Sequence, residues 1–336
     1  MIIVENRASY ILFNILRSAA RKGRWIIPSN CCGIIPAVFY KSGTLFETCD
    51  ITHNNFCIDL QYVSDKIHQN PDEYAGVLFI YTYGVELDIQ TAIIAFKEEH
   101  PSVMFIEDKC LCKPAFSENK VAISDVMLFS TGYAKYTDAG SGGYAFVSSS
   151  LSYERHELAY EPEAESNLGK KMKEAINGGE RLSPATFTGN WLSGFNPIEN
   201  QREYFDKIKT LTRISEQRKN EINNVYSSLL SADYCMPGEF NHWRFNIIVN
   251  EPEKLINDIV NARLFASRHY CPIDKYISTI SHHSQTADWL YGHVINLFND
   301  KYYSPDQAEM TSNLVKKHVA KFGGPHNQTR QRKRLS

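Results

Sequence analysis

Short apolar runs alternate with segments of helical apolar spacing through the first half of the chain. Residues 8–20 read as an amphipathic helix and 25–28 as a short buried strand. A helix is expected over 34–40, a strand over 45–48 and a helix over 60–68. Strand 76–81, helix 89–99 and strand 103–106 follow, the last running into Glu107-Asp108. Two more strands are read over 126–130 and 144–147. Strands rich in Val and Ile, alternating with helices, predict an α/β domain with a largely parallel sheet.

Beyond about residue 150 the pattern changes. Residues 151–175 are rich in Glu and Lys and read as a solvated helix, and a long helix is expected over 198–230. Residues 243–249 form a candidate strand, with helices over 252–262 and 305–321. This organisation predicts a large α/β domain over 1–195, and a connecting helix with a small α+β domain over 196–322. A polar, basic tail over 323–336 containing RQRKR is expected to be disordered.

Composition narrows the function classes. With 43% hydrophobic and 22% charged residues, the chain has the make-up of a globular protein with a substantial core. A net charge of -2 gives no reason to expect nucleic acid or an anionic membrane as partner. No apolar stretch reaches bilayer-spanning length, and the start, MIIVENRAS, lacks the features of a signal peptide, so a cytoplasmic protein is expected. The eight cysteines form no CxxC pair, which predicts reduced thiols rather than a zinc site or a disulfide framework. Neither His282-His283 nor Cys110/Cys112 has a second pair at ligand spacing, so no metal site is expected.

The chemistry concentrates in SDVMLFSTGYAKYTDAGSGG, residues 124–143. A strand ends in a hydroxyl, Ser130; Lys135 follows, then the cluster Gly140-Ser141-Gly142-Gly143. Another strand delivers Asp108 at its carboxyl end. Ligands of open α/β sheets gather beyond the carboxyl ends of strands, so both elements should face one cleft. A lysine amine, a carboxylate, a hydroxyl, a helix start near Ala8 and glycines that allow a tight turn are the parts a pyridoxal phosphate (PLP) site needs. The residues alone do not select PLP over other ligands.

The spacing of these parts resembles the DegT/StrS-type sugar aminotransferases of PLP fold type I, whose motif reads GD-I-x-x-F-S-x-x-x-x-K-x-x-x-x-G-E-G-G. Asp125, Phe129, Ser130, Lys135, Gly140, Gly142 and Gly143 stand in register with it. The family's EDAAQ is similar to Glu107-Asp108-Lys109-Cys110-Leu111, and its HxYG to Tyr81-Thr82-Tyr83-Gly84. Its HYxP is similar to His269-Tyr270-Cys271-Pro272. The resemblance implies a large domain with a mostly parallel, seven-stranded type of sheet flanked by helices, and a small α+β domain. It implies that Lys135 forms the Schiff base and shuttles protons, that Asp108 faces the pyridine nitrogen and that Ser130 holds the phosphate. Asn6, Arg7 and Ala8, with Ser9, resemble a degenerate form of the family's Ser-Gly-Thr helix start, whose backbone amides also hold phosphate. Asn196 matches an asparagine that reaches the neighbouring subunit's phosphate, which implies a homodimer with shared sites.

The chain also departs from the family pattern. A Gln near the cofactor's phenolic oxygen is replaced by Leu111, an aromatic that stacks on the cofactor by Cys32 or Cys31, an Arg by Ile198 and the Glu of GEGG by Ser141. The helix-start motif also lies close to residue 6, where the family carries some tens of residues before it. The activity implied is amino transfer from an amino acid, L-glutamate by resemblance, to a keto acceptor such as a keto-sugar nucleotide, with His269 and Tyr270 on the acceptor side. Two alternatives stay open: elimination, replacement or decarboxylation of an amino acid on the same scaffold, and a non-catalytic scaffold relative.

Overall fold

The computed structural model describes residues 1–116, 123–194, 198–280 and 283–324. In chain order the first half comprises β1 (Ile2–Glu5), α1 (Ala8–Ser18), β2 (Arg24–Pro28), α2 (Ile34–Ser42) and β3 (Phe46–Cys49), then α3 (Leu60–Gln69), β4 (Tyr74–Ile80), α4 (Gln90–Glu99) and β5 (Met104–Asp108). β6 (Val126–Ser130) and β7 (Gly143–Val147) complete a seven-stranded sheet of order β1-β7-β6-β5-β4-β2-β3. Strands β2 to β6 are mutually parallel; β7 runs antiparallel to β6, and β1 antiparallel to β7. The α/β class read from the strand–helix rhythm is the observed one.

Burial explains why the central strands are unbroken apolar runs. Both faces of the sheet are covered, so β4 buries Tyr74, Ala75, Val77, Leu78 and Phe79 on alternating sides. Helix α1 is buried almost all round, from Tyr10 through Leu16, because it packs on the sheet and on α2 while Tyr153 and His156 cover Tyr10, Phe13 and Asn14. β1 was not anticipated: its four residues precede the first turn signal, and only its partner β7 identifies it as an edge strand.

The second half holds α5 (Pro162–Gly178), α6 (Gln201–Leu229), β8 (Phe245–Ile248), α7 (Pro252–Asn261), β9 (Ala266–Ser267), α8 (Gln285–His293), β10 (Val294–Leu297) and α9 (Pro305–Phe322). The solvated helix expected over 151–175 starts only at Pro162. Proline at the first helical position has its φ preset and no N–H to satisfy, so it starts a helix well and tolerates no turn before it. α6 begins where the Asn200 side chain accepts the Glu203 amide, 3.1 Å away. β8, β10 and β9 form a three-stranded antiparallel sheet whose core includes Tyr226, Phe245, Leu255, Ile295 and Val315. β10 and α8 escaped the sequence reading: the helix is only nine residues long and passes directly into the four-residue strand at His293-Val294. The segment through Ile273, Ile277 and Ile280 returns to pack into the core of the large sheet. The expected basic tail lies, from residue 325 onward, outside the described residues.

Candidate functional site

The carboxyl ends of β2, β4, β5 and β6 open onto one cavity of about 420 Å³, closed on one side by the start of α1. Asn6, Arg7, Ala8, Cys32, Asp108, Ser130, Lys135 and Tyr270 all line it. These residues come from five separate parts of the chain: the parallel strands deliver Cys32, Asp108, Ser130 and Lys135 to one end of the sheet, while Asn6–Ala8 follow the antiparallel edge strand β1 and Tyr270 follows β9.

Asp108 ends β5 and is 5% exposed. Burial raises its carboxyl above the ordinary range, opposed by hydrogen bonds from Cys110 and by the charge of Lys135. The Cys110 amide lies 2.8 Å from Oδ1. A carboxylate this buried is stabilised by any cation placed against it. On the neighbouring strand, Ser130 ends β6 and lines the same cavity.

Lys135 leaves the loop after β6. Among the described residues its ammonium makes no hydrogen bond or ion pair, although its charge reaches Asp108, Cys110 and His269. The loop itself is pinned at three points. Thr131, fully buried, bonds the Ser141 carbonyl at 2.9 Å and the Tyr204 hydroxyl at 2.8 Å. Thr137 bonds Thr212 of α6 at 2.9 Å. Between them Ala134 adopts φ +58°, a left-handed conformation that costs a non-glycine residue about 1–2 kcal/mol. Its amide donates to Asp138 (3.3 Å) and its carbonyl accepts from the Trp243 indole (2.7 Å).

The glycine cluster serves a contact between elements. At Gly143 a Cβ would lie 2.4 Å from the Ala8 nitrogen, and at Gly142, φ +102°, it would meet Thr131 and Tyr204. The Gly142 amide donates to the Asn6 carbonyl at 2.7 Å. β7 therefore passes directly against the start of α1. Arg7 stands at the N-cap of this helix in extended conformation and, among the described residues, no side chain caps it. Uncapped first-turn amides and the positive end of the dipole make this an anion-favouring cavity wall.

The Arg7 side chain is engaged by Glu165 of α5 through both guanidinium nitrogens, the Nη2–Oε2 contact measuring 2.9 Å. Tyr160 donates to the same carboxylate at 2.7 Å. Burial pushes Glu165 up, yet Arg7 and Tyr160 outweigh it and hold the carboxyl below its usual range. Glu165, Trp191 and Tyr133 also line the cavity and were not singled out from the sequence. Nothing local marks them, since Glu165 meets Arg7 only because α5 shares a core with α1.

Of the two cysteines read as replacing an aromatic, Cys32 lines the cavity and Cys31 is buried in the core. Leu111 and Ser141 are on the wall; Ile198 packs beside Val4 and Phe129 instead. Tyr270 faces the cavity, whereas His269 lies behind it, against the Trp243 ring at 5.6 Å. Burial, with the charges of Arg244 and Lys135, pulls the His269 imidazole down to about 4, so it is neutral near pH 7. Asn196 lies outside the described residues, as does His282. Among the described residues no group of three or more potential ligands is placed to hold a metal ion, and no helix is long and apolar enough to cross a membrane.

No family model and no curated protein matches the chain. Solved structures do. The sugar aminotransferase CalS13 from Micromonospora echinospora superposes with TM-score 0.66 at 16% identity, covering 94% of this chain and 87% of that one. PseC from Helicobacter pylori, an aminotransferase involved in the biosynthesis of pseudoaminic acid, gives 0.66 at 15%, covering 96% and 87%. A DegT DnrJ EryC1 StrS aminotransferase from Brucella abortus gives 0.65 at 14%, covering 94% and 86%. At these identities the likeness establishes the fold, that of the PLP fold type I aminotransferases, over nearly the whole chain.

Proposed function

We propose that this chain is a PLP-dependent aminotransferase that moves an amino group from an amino acid, L-glutamate in our reading, to a keto acceptor such as a keto-sugar nucleotide. The observation that carries the reading is the joint placement of Lys135, Asp108, Ser130 and the uncapped start of α1 around one cavity. The residues fit the cofactor: a buried carboxylate for a protonated ring nitrogen, a helix start with no side-chain cap among the described residues and a hydroxyl for a phosphate, and an amine that makes no hydrogen bond or ion pair among the described residues. When bound, PLP supplies the electron sink that makes the α-proton of an amino acid labile.

The chain's own residues do the rest. Asp108 is the group that would keep a ring nitrogen protonated, because its buried charge would be stabilised by a cation placed against it. Ser130 Oγ and the amides of α1 bind and orient the phosphate. Lys135 would provide the amine that holds the aldehyde, and its Nζ is the group that would carry a proton at the reacting carbon. Asn196 would complete the site of a second copy, which makes a cytoplasmic homodimer part of the reading.

The test is the visible spectrum of the protein with added PLP, before and after L-glutamate. The expected result is a band that Lys135→Ala abolishes and that glutamate converts to the amine form of the cofactor. A band that glutamate leaves unchanged would favour elimination, replacement or decarboxylation of another amino acid. Leu111 and Cys32, apolar and thiol groups on walls where the resembling family has an amide and an aromatic, are consistent with that second reading. No Lys135-dependent band would leave the chain as a scaffold relative.

A further inference from the structure

Trp243 belongs to the segment entering β8, more than a hundred residues from the loop of Lys135, yet its indole N–H ends on that loop at the Ala134 carbonyl. Its own position is fixed from every side. The ring stacks with Tyr83 at 6.4 Å and 13°, and with Tyr270 at 6.5 Å and 11°. The Arg244 guanidinium lies 5.2 Å from its centroid. Its carbonyl accepts from Lys219 at 2.8 Å, a buried ammonium that also donates to Asn299 at 3.0 Å. A donor held this firmly is aimed at the one residue of the lysine loop, Ala134, whose backbone is in a conformation alanine disfavours. Left without a partner, that turn would relax toward ordinary φ values and carry the neighbouring Lys135 with it.

We propose that Trp243 is a positioning residue for Lys135: its indole N–H holds the left-handed turn at Ala134 and thereby fixes the direction in which the lysine enters the cavity. The inference rests on Lys135 being the reacting amine. Because the same ring packs on Tyr270 of the cavity wall, the turn and that wall share one support.

The test compares wild type with Trp243→Phe, which keeps an aromatic ring but removes the N–H, and with Ala134→Gly, in which the left-handed turn carries no penalty. Two readouts are taken: amide hydrogen exchange over residues 131–139 without cofactor, and the rate and pH midpoint of the Lys135-dependent band on adding PLP. Trp243→Phe is expected to speed exchange in this loop about two- to tenfold, the range set by one hydrogen bond, to slow band formation by a similar factor and to move its pH midpoint. These effects should shrink in the Trp243→Phe/Ala134→Gly double variant. Leu255→Ala, which weakens the core beneath β8 and β10 without touching the loop, serves as the control for lost stability. Unchanged loop exchange in Trp243→Phe, or an equal shift of the pH midpoint in Leu255→Ala, would overturn the proposal. A wild-type protein with no Lys135-dependent band would sink the aminotransferase reading, while the exchange comparison would still decide whether Trp243 holds the turn.

Discussion

The cavity has two unlike walls. The inner wall, at the ends of β5 and β6, is built from buried groups with backbone or helix partners: Asp108 is 5% exposed, and Thr131 and Thr137, which hold the lysine loop, are fully buried. The outer wall is built from groups that meet across the surface. The Arg7 and Glu165 side chains are 38% and 33% exposed, and Tyr133 is 76% exposed. The contrast separates two tasks. Groups that set protonation must be desolvated and rigid, because only there are charges unscreened. Groups that meet an incoming ligand must stay wet enough to exchange partners.

If that division holds, the largest effect follows a change on the inner wall. Asp108→Asn removes the buried charge and leaves the fold and the cavity volume nearly intact. Removing one member of a buried charge pair costs about 2–5 kcal/mol, or roughly thirtyfold and upward in affinity or rate. We expect PLP affinity and transamination to fall by at least that factor, measured by titration of the visible band and by single-turnover reaction with L-glutamate. An Asp108→Asn protein within about threefold of wild type in both would remove the inner wall's special status.

A smaller effect is expected where the two walls join. Gly143 lets β7 pass against Ala8, and in Gly143→Ala the new methyl carbon would sit 2.4 Å from the Ala8 nitrogen, with backbone on both sides. Overpacking of this kind costs about 1–3 kcal/mol. Denaturant unfolding should show that loss, and phosphate or PLP binding should weaken because the first turn of α1 is displaced. Loss of stability with unchanged phosphate affinity would mean that the start of α1 is not part of the anion site.

The same contrast explains what could be read from the chain in advance. The inner wall was legible because its order is local: strand, hydroxyl, lysine and glycines lie within residues 124–143, and Asp108 ends a recognisable strand. β6 is found at the residues its apolar run indicated, and the α/β class follows from the alternation of strands and helices. The outer wall was not legible. Arg7 meets Glu165 across a sequence separation of 158 residues, with no periodicity that records the contact, and the long-range support of the lysine loop, Trp243 on Ala134 across 109 residues, was hidden in the same way. Short elements were missed for a related reason: β1 and β9 acquire their identity from the strand beside them, not from their own pattern.

The smallest effect belongs to the outer wall itself. Glu165→Gln removes the carboxylate that engages Arg7 and accepts from Tyr160. A pair this exposed contributes about 0–1 kcal/mol, screened further by salt. Because the Glu165 carboxyl is held below the ordinary glutamate range, its contribution is fully present above that range and is lost as pH falls through the lowered one. The stability gap between wild type and Glu165→Gln should therefore be small at neutral pH and close in acid. Freed from its internal carboxylate, the Arg7 guanidinium should also bind an anion in the cavity slightly better, so inorganic phosphate should bind the cofactor-free variant about two- to fivefold more tightly at low salt, within the range such a pair allows. An effect as large as that of Asp108→Asn would show that Arg7 and Glu165 act as a buried pair in solution, and that the exposed wall is as rigid as the inner one.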